Sequence, residues 1–223
     1  MSSPIPPAGA DHYPARLQVA YPERLNRLTS FFRLLWIIPI AIVLSALSGT
    51  ATSTVRVVNE NGEVLSRSSD TAGGIVVGLF LATLLMILFR QRYPRWWFDF
   101  ALQFHRFSTR VAAYGALLTD RYPSTEDEQS VHLDLDYPDA RRDLNRWLPL
   151  VKWILVIPHL VVLFFLCIGA WVAIIIAWFA ILFTGRYPRG LFDYVVGVGR
   201  WALRVNAYAG LLITDRYPPF RLS

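Results

Sequence analysis

Two copies of the sequence Thr-Asp-Arg-Tyr-Pro carry matched carboxylates, Asp120 and Asp215. Two carboxylates brought together can act as a general acid and a general base. An aspartate in a turn beside an arginine instead accepts local backbone hydrogen bonds. Because each copy ends in Tyr-Pro, which stops a helix, we interpret Asp120 and Asp215 as structural residues of two turns.

Asp99 and Asp193 are a second matched pair of carboxylates, each near the start of a predicted helix. The positive end of the helix dipole stabilises a carboxylate there, and each aspartate has basic neighbours. We predict a structural role in capping and ion pairing for both. A proton relay or a catalytic role is the alternative.

Pro39 and Pro158 occupy matched positions inside predicted membrane helices. Proline kinks such a helix and frees a carbonyl, so both are candidate structural residues. His159 follows Pro158, and an ionisable side chain inside a membrane suggests a role in transport or metal binding. Its counterpart in the repeat described below is Ile40, so a neutral histidine that bonds to the freed carbonyl is the alternative.

Other patterns of catalytic or metal-binding residues are missing from the sequence. The four histidines lack the spacing of a zinc site, and no nucleophile elbow or phosphate-binding loop occurs. Cys167 is the single cysteine, which excludes a disulfide framework and an iron–sulfur cluster. We therefore predict no catalytic residue, no metal and no cofactor.

Arginines recur in the motif Arg-Tyr-Pro, which occurs four times. Tyrosine and arginine at the end of a membrane helix are typical of the headgroup layer, and proline ends the helix. The sharper hypothesis is a phospholipid-headgroup site. Its candidate contacts are Arg92, Arg95, Arg106, Arg110, Arg186, Arg189, Arg200 and Arg204.

The composition indicates an integral membrane protein. The 223 residues are 54% hydrophobic and 17% charged, with a net charge of +6. Soluble domains are about 45–50% apolar and about 25% charged, and a disordered chain needs low hydrophobicity. The arginines are spread along the chain rather than clustered, so we do not expect nucleic acid as a partner.

Three long stretches without charged residues predict the membrane helices: 34–55, 71–89 and 153–184. A bilayer core about 30 Å thick needs about 20 helical residues. The third stretch is too long for one span, so we predict a break near Cys167, with Lys152 snorkelling to the headgroups. The four predicted spans are 31–47, 73–89, 147–166 and 168–184.

The chain also shows an internal repeat. Asn26-Arg27 matches Asn145-Arg146 at an offset of 119, and Arg92-Tyr93-Pro94-Arg95 matches Arg186-Tyr187-Pro188-Arg189 at an offset of 94. The change in offset indicates an insertion between the first two spans. Its Asn61-Gly62 pair between alternating apolar residues predicts a β-hairpin. We therefore divide the chain into a first repeat (1–123, with an outer loop at 48–72), an acidic cytoplasmic linker (124–143) and a second repeat (144–223).

An amphipathic helix follows each predicted hairpin, at 96–118 and at 190–212. In the first, Asp99, Gln103, Arg106 and Arg110 form one polar stripe of helical period. Arginine and aromatic residues around such a stripe favour a helix that lies in the membrane interface. A further pair of membrane spans is the alternative.

The distribution of basic residues predicts the orientation. They precede the first span, lie between the second and third, and follow the fourth, so both termini of this multi-pass chain are expected in the cytoplasm. The first span resembles a signal peptide, but the long segment before it and the repeat favour its retention.

The run from Trp178 to Asp193, with Thr-Gly-Arg-Tyr-Pro-Arg-Gly at its centre, resembles the signature of a bacterial, mainly actinobacterial, membrane protein family. This is the domain of unknown function DUF4389, and Asn206-Ala207-Tyr208 with the segment 211–220 resembles it too. In the first half, Trp96 replaces the glycine of the motif. The resemblance implies two tandem copies and a plasma-membrane location, and it implies no activity.

The sequence thus predicts an all-α integral membrane protein: four transmembrane helices form two tandem hairpins, each followed by an amphipathic interfacial helix. The first hypothesis is a non-enzymatic protein that scaffolds a protein partner or organises anionic phospholipid at the inner face of the membrane, as a monomer or a homo-oligomer. A small transporter or channel component is the alternative. A membrane-embedded lipid-modifying enzyme is the third.

Overall fold

A computed structural model describes residues 13–48, 51–58, 64–71, 75–124 and 129–223. We call residues 13–124 the first half and residues 129–223 the second half. The strands are β1 (Ala15–Val19), β2 (Ala51–Val58), β3 (Val64–Thr71) and β4 (Val131–Leu135). The helices are α1 (Arg27–Ser48), α2 (Ile75–Leu85), which continues into a π-helical turn (Met86–Arg90), α3 (Arg95–Gly115), α4 (Leu148–Leu155), α5 (Ile157–Thr184) and α6 (Arg189–Ala209).

The prediction of four transmembrane helices in two hairpins is wrong. Within the described residues, α5 alone is a straight helix long and apolar enough to cross a membrane. α1 bends by 48° between Arg33 and Leu35, and it counts as a second candidate only if both parts form one span. The apolar helix Val77–Arg90 is shorter than the length required. The chain is therefore mostly helical, with two small sheets rather than none.

α5 also corrects the predicted break near Cys167. It runs unbroken for 28 residues, about 42 Å at about 1.5 Å per residue. The chain breaks instead at Val156, between α4 and α5. Pro158 explains this position, because its ring removes a backbone N–H and crowds the carbonyl four residues earlier. The predicted separate spans 147–166 and 168–184 are therefore one helix preceded by a short one.

Two antiparallel strand pairs complete the fold. β2 pairs with β3, as the hairpin prediction required, although Asn61 and Gly62 lie outside the described residues. β1 pairs with β4, with Leu17 opposite Leu133. β4 lies inside the segment predicted to be a solvated linker, and its alternate residues Val131, Leu133 and Leu135 are buried.

The helices and the β1–β4 sheet form layers. α6 packs against α5 on one side and against β1 on the other, while α3 packs against β4. Small residues on α5 form its buried stripe, including Ala170, Ala173 and Ala177. They let the two helices approach closely, and Tyr194 on α6 donates a hydrogen bond to the Leu166 carbonyl (3.0 Å). Both predicted amphipathic helices thus exist, as α3 and α6, and each begins one residue earlier and ends three residues earlier than predicted.

Candidate functional site

A buried ion pair closes the first half. The Arg33 guanidinium on α1 pairs with the Asp120 carboxylate in the loop after α3. Arg33 also donates from Nη1 to the carbonyl oxygens of Tyr114 (3.0 Å) and Thr119 (2.8 Å), and it lies over the Tyr114 ring. Its side chain is 3% exposed, so the charge is held almost entirely by these groups.

The second half holds a matching pair. The Lys152 ammonium on α4 lies 2.7 Å from a carboxylate oxygen of Asp215, donates to the Thr214 carbonyl (2.8 Å), and lies over the Tyr208 ring. Burial lowers the pKa of Lys152, and the Asp215 carboxylate opposes that shift. The expectation that Lys152 snorkels to the headgroups is wrong, because its side chain is fully buried.

The same two aspartates hold the segments before α1 and α4. Asp120 accepts the backbone N–H of Asn26 (2.7 Å), and Asp215 accepts that of Asn145. Each asparagine side chain in turn accepts the backbone N–H two residues later. The carboxylates that the sequence placed in turns therefore join the two ends of each half.

Two tyrosine hydroxyls connect the halves. Tyr21, before α1, donates to the carbonyl of Tyr187 in the second half. Tyr137, before α4, donates to the carbonyl of Tyr93 in the first half. Because each bond reaches into the opposite half, the halves exchange their leading segments, as β1 and β4 also do by packing on α6 and α3.

Four of the predicted headgroup contacts are exposed, in the two Arg-Tyr-Pro-Arg motifs: Arg92, Arg95, Arg186 and Arg189. Arg95 lies over the Tyr137 ring at 5.2 Å and Arg189 over the Tyr21 ring at 4.9 Å. These cation–π contacts orient each guanidinium beside an aromatic face without neutralising it. The charges stay available to an anion from solution or from a membrane.

The other four predicted contacts lie against the chain itself. On α3, Arg106 donates to the Leu133 carbonyl and to the Asp134 carboxylate, both at 2.9 Å. On α6, Arg200 donates to the Leu17 carbonyl at 3.0 Å. These two arginines therefore fix the helices to the strands.

Arg110 and Arg204 lie one turn further along their helices. Arg110 donates to the carbonyl of Ser124. Arg204 is buried and donates to the carbonyls of Arg200 (3.3 Å) and Arg221 (2.6 Å). The eight arginines thus divide into four exposed on the motifs and four directed at backbone.

Asp99 and Asp193 are not brought into this network. The caps of α3 and α6 are Pro94 and Pro188, and neither helix has an acidic residue in its first turn. Both aspartates are exposed, and no ion pair joins either of them to another part of the described chain.

His159 is enclosed by aromatic rings at the start of α5. Its Nδ1 accepts the indole N–H of Trp201 (3.1 Å), and its ring stacks on Phe220 at 4.0 Å. Its Nε2 has no partner in the described chain. The described residues contain no cluster of three potential metal ligands. The expected bond from His159 to a freed carbonyl is thus not observed, and the imidazole instead accepts from the Trp201 indole.

The sequence interpretation gave no role to Arg33, Tyr21 and Tyr137, and it missed the pairing of Lys152. A usable signal existed for the two cations, because they occupy matched positions on apolar helices where an unpaired charge is costly. The tyrosines had no such signal, since each reaches a carbonyl more than forty positions away.

Comparison with known proteins covers the second half only. No curated protein and no solved structure matches the sequence. Residues 147–221 match the family model described as a domain of unknown function, DUF4389. The match covers one copy, and the copy expected in the first half is not matched.

Proposed function

We propose that this is a non-enzymatic membrane protein that organises anionic phospholipid at the inner face of the bacterial plasma membrane, with α5 lying in the plane of the bilayer surface. The observation that carries this proposal is that one face of α5 packs against the protein while its other face exposes large apolar side chains. Only 22% of its most apolar stretch is buried, and large side chains such as Trp171 and Phe183 are 69% and 78% exposed. The core helix of a soluble protein would be mostly covered.

The layer behind α5 favours a helix in the plane over a helix across the bilayer. The segment from Leu17 to Leu25 runs along α6, from the Arg200 contact to the hydrogen bond between the Leu25 N–H and the Gly185 carbonyl at the far end of α5. α6 also lies beside the interior of α5, because Tyr194 bonds to the Leu166 carbonyl. The exposed carboxylate of the preceding residue, Asp193, would lie at bilayer depth if α5 crossed the membrane, which is costly. An in-plane α5 leaves it on the water side.

The exposed arginines support contact with anionic headgroups. α5 ends at Thr184, Gly185 follows with a left-handed φ of 72°, and Arg186 and Arg189 come next. Basic residues beside a membrane surface attract anionic lipid by about 1 kcal/mol each. The two ends of the described chain lie beside α6, where Tyr13 donates to the Arg204 carbonyl and Arg204 donates to the Arg221 carbonyl, and an in-plane α5 at the inner face would leave both on the cytoplasmic side.

The two halves are, we further propose, copies of one unit. The matched contacts support this: Arg33–Asp120 with Lys152–Asp215, and the hydroxyl of Tyr21 with that of Tyr137. The family match to residues 147–221 then covers the copy that has kept the motif's glycine, Gly190, where the first half has Trp96.

Native mass spectrometry of protein gently extracted from its membrane tests the lipid proposal. Arg186→Gln with Arg189→Gln should weaken the retention of phosphatidylglycerol roughly thirtyfold, from about 1 kcal/mol per arginine. Arg141→Gln with Arg142→Gln removes the same formal charge from exposed sites outside the two Arg-Tyr-Pro-Arg motifs and should weaken retention less. Equal lipid retention by both double variants would contradict the proposal. The same spectra report a stoichiometric protein partner or a second copy.

A further inference from the structure

A cavity of about 300 Å³ lies between α6 and β1. Its basic residues are Arg16, Arg200, Arg204 and Arg221, and Tyr13, Gln18 and Ser223 also line it. Arg16 is neutralised by Asp136, 2.9 Å away. Within the part of the chain that the structure describes, no acidic residue pairs with the other three arginines.

Arg204 is the buried member of this cluster, at 4% exposure. Its Nε and Nη2 donate to backbone carbonyls, which satisfy hydrogen bonds without supplying a negative charge. Nη1 has no partner among the described residues. Burial and the neighbouring charges of Arg221 and Arg200 lower the pKa of Arg204, while Tyr13 opposes the shift. A buried cation beside two others is a costly arrangement unless an anion joins it.

In the first half, the arginine that corresponds to Arg200 has a carboxylate partner. Arg106 and Arg200 are matched, and each donates from Nε to the carbonyl of a leucine, Leu133 or Leu17. The residue after Leu133 is Asp134, which takes a second hydrogen bond from Arg106 at 2.9 Å. The residue after Leu17 is Gln18. The second arginine cluster thus lacks the carboxylate that the first one has.

We propose that the cavity lined by Arg200, Arg204 and Arg221 binds a phosphate group, carried by a soluble phosphate compound or by a lipid headgroup. Guanidinium groups match the oxygen geometry of phosphate. The cavity has the size of a small-molecule site, so it accepts a phosphate with a small substituent. The site lies away from the exposed arginines after α5 and does not depend on their role.

Isothermal titration of the full chain in a non-ionic detergent with inorganic phosphate tests the site. Gln18→Asp supplies the missing carboxylate at an exposed position, removes no arginine, and should weaken phosphate binding by at least about tenfold. Arg221→Gln should have an effect of similar size, and its backbone carbonyl still accepts from Arg204. Arg141→Gln, an exposed arginine elsewhere, is the control for charge and should bind phosphate as the parent does.

Nanodiscs of phosphatidylglycerol or phosphatidylcholine distinguish the two sources of phosphate. Binding of inorganic phosphate that Gln18→Asp abolishes supports the site with a soluble ligand. Binding of the protein to phosphatidylglycerol nanodiscs but not to phosphatidylcholine nanodiscs or inorganic phosphate, if lost in Gln18→Asp, supports the site with a lipid ligand. If neither probe binds, or if Gln18→Asp and Arg221→Gln bind as the parent does, the proposal is wrong. Arg186→Gln with Arg189→Gln should leave phosphate binding intact, which separates this site from the proposed function.

Discussion

Lys152 has the least exposed charged side chain in the described chain, and every group around its ammonium is a partner for positive charge. Asp215 supplies the countercharge, Thr214 a carbonyl and Tyr208 an aromatic face. A buried ion pair contributes little net stability compared with apolar residues of the same shape, yet removing one member leaves an uncompensated charge. The pair therefore fixes the loop after α6 to α4 more than it stabilises the fold.

Asp215→Ala should lower the free energy of unfolding by about 3–5 kcal/mol, because the Lys152 ammonium stays buried without its carboxylate. Chemical denaturation in detergent micelles measures this change. Adding Lys152→Met should restore most of the loss, since the double variant has no buried charge. Asp193→Ala, which removes an exposed carboxylate, should change stability by no more than about 0.5 kcal/mol. Equal losses in the single and double Asp215 variants would show that charge is not the cause.

Sequence reasoning identified the two aspartates of these pairs but not their partners. The repeated Thr-Asp-Arg-Tyr-Pro marks Asp120 and Asp215 as turn residues, and the adjacent arginine is the obvious partner along the chain. The actual partners, Arg33 and Lys152, lie 87 and 63 positions away. Only the packing of α1 and α4 brings them close, and the spacing of residues along the chain does not predict that packing.

α6 is positioned by its glycines as well as by its arginines. A Cβ on Gly197 would lie 2.9 Å from the Leu222 Cβ and 3.0 Å from its carbonyl oxygen, so the segment after α6 has no room for it. A Cβ on Gly190, in the first turn of the same helix, meets nothing within 4 Å. Substituting alanine at each glycine therefore distinguishes the cost of close packing, at Gly197, from the gain in helix propensity, at Gly190.

Gly197→Ala should lower the free energy of unfolding by about 1 kcal/mol, because overpacking of about 1–3 kcal/mol exceeds the gain in helix propensity. Gly190→Ala gains propensity without a clash and should be neutral or stabilising. The thermal midpoints of the two variants in the same detergent give the comparison. A stabilised Gly197→Ala would show that the segment around Leu222 does not pack on α6 as described.

At the scale of elements, local sequence patterns predicted helices and a hairpin, but they did not predict the pairing of strands that are distant in sequence. The helical stripe of arginines identified α3 and α6, and the alternation around Asn61-Gly62 identified β2 and β3. β1 and β4 were missed, because two strands of five residues gain stability only from each other and from α3 and α6. The break before Pro158 was misplaced, because glycine near Cys167 weakens a helix less than proline does.

At the scale of the whole molecule, three layers explain the unusual composition. α5 exposes an apolar face, α6 packs against it, and the β1–β4 sheet packs against α6 through β1 and against α3 through β4. Hydrophobic content predicted membrane helices, and within the described residues α5 is long and apolar enough to be one. It did not reveal that the other apolar stretches form a bent helix and a short one, which is why the predicted count of four spans was wrong.

The depth of α5 in a lipid bilayer tests its proposed position most directly. Val161, Ile168 and Phe179 share the exposed face of α5 and are each about half exposed. Each can carry a spin label as a single cysteine in a Cys167→Ser background, since Cys167 is the only native cysteine. Accessibility of the label to oxygen and to a water-soluble nickel complex then gives its depth. An exposed site on β4, His132→Cys, provides the reference for water.

An in-plane α5 predicts that all three labels lie at a similar shallow depth, about 5–10 Å below the headgroup boundary, while the label at position 132 stays in water. A deep label at position 168, with shallow labels near opposite surfaces at 161 and 179, would contradict this and show that α5 crosses the bilayer. Three labels in water would contradict membrane attachment altogether.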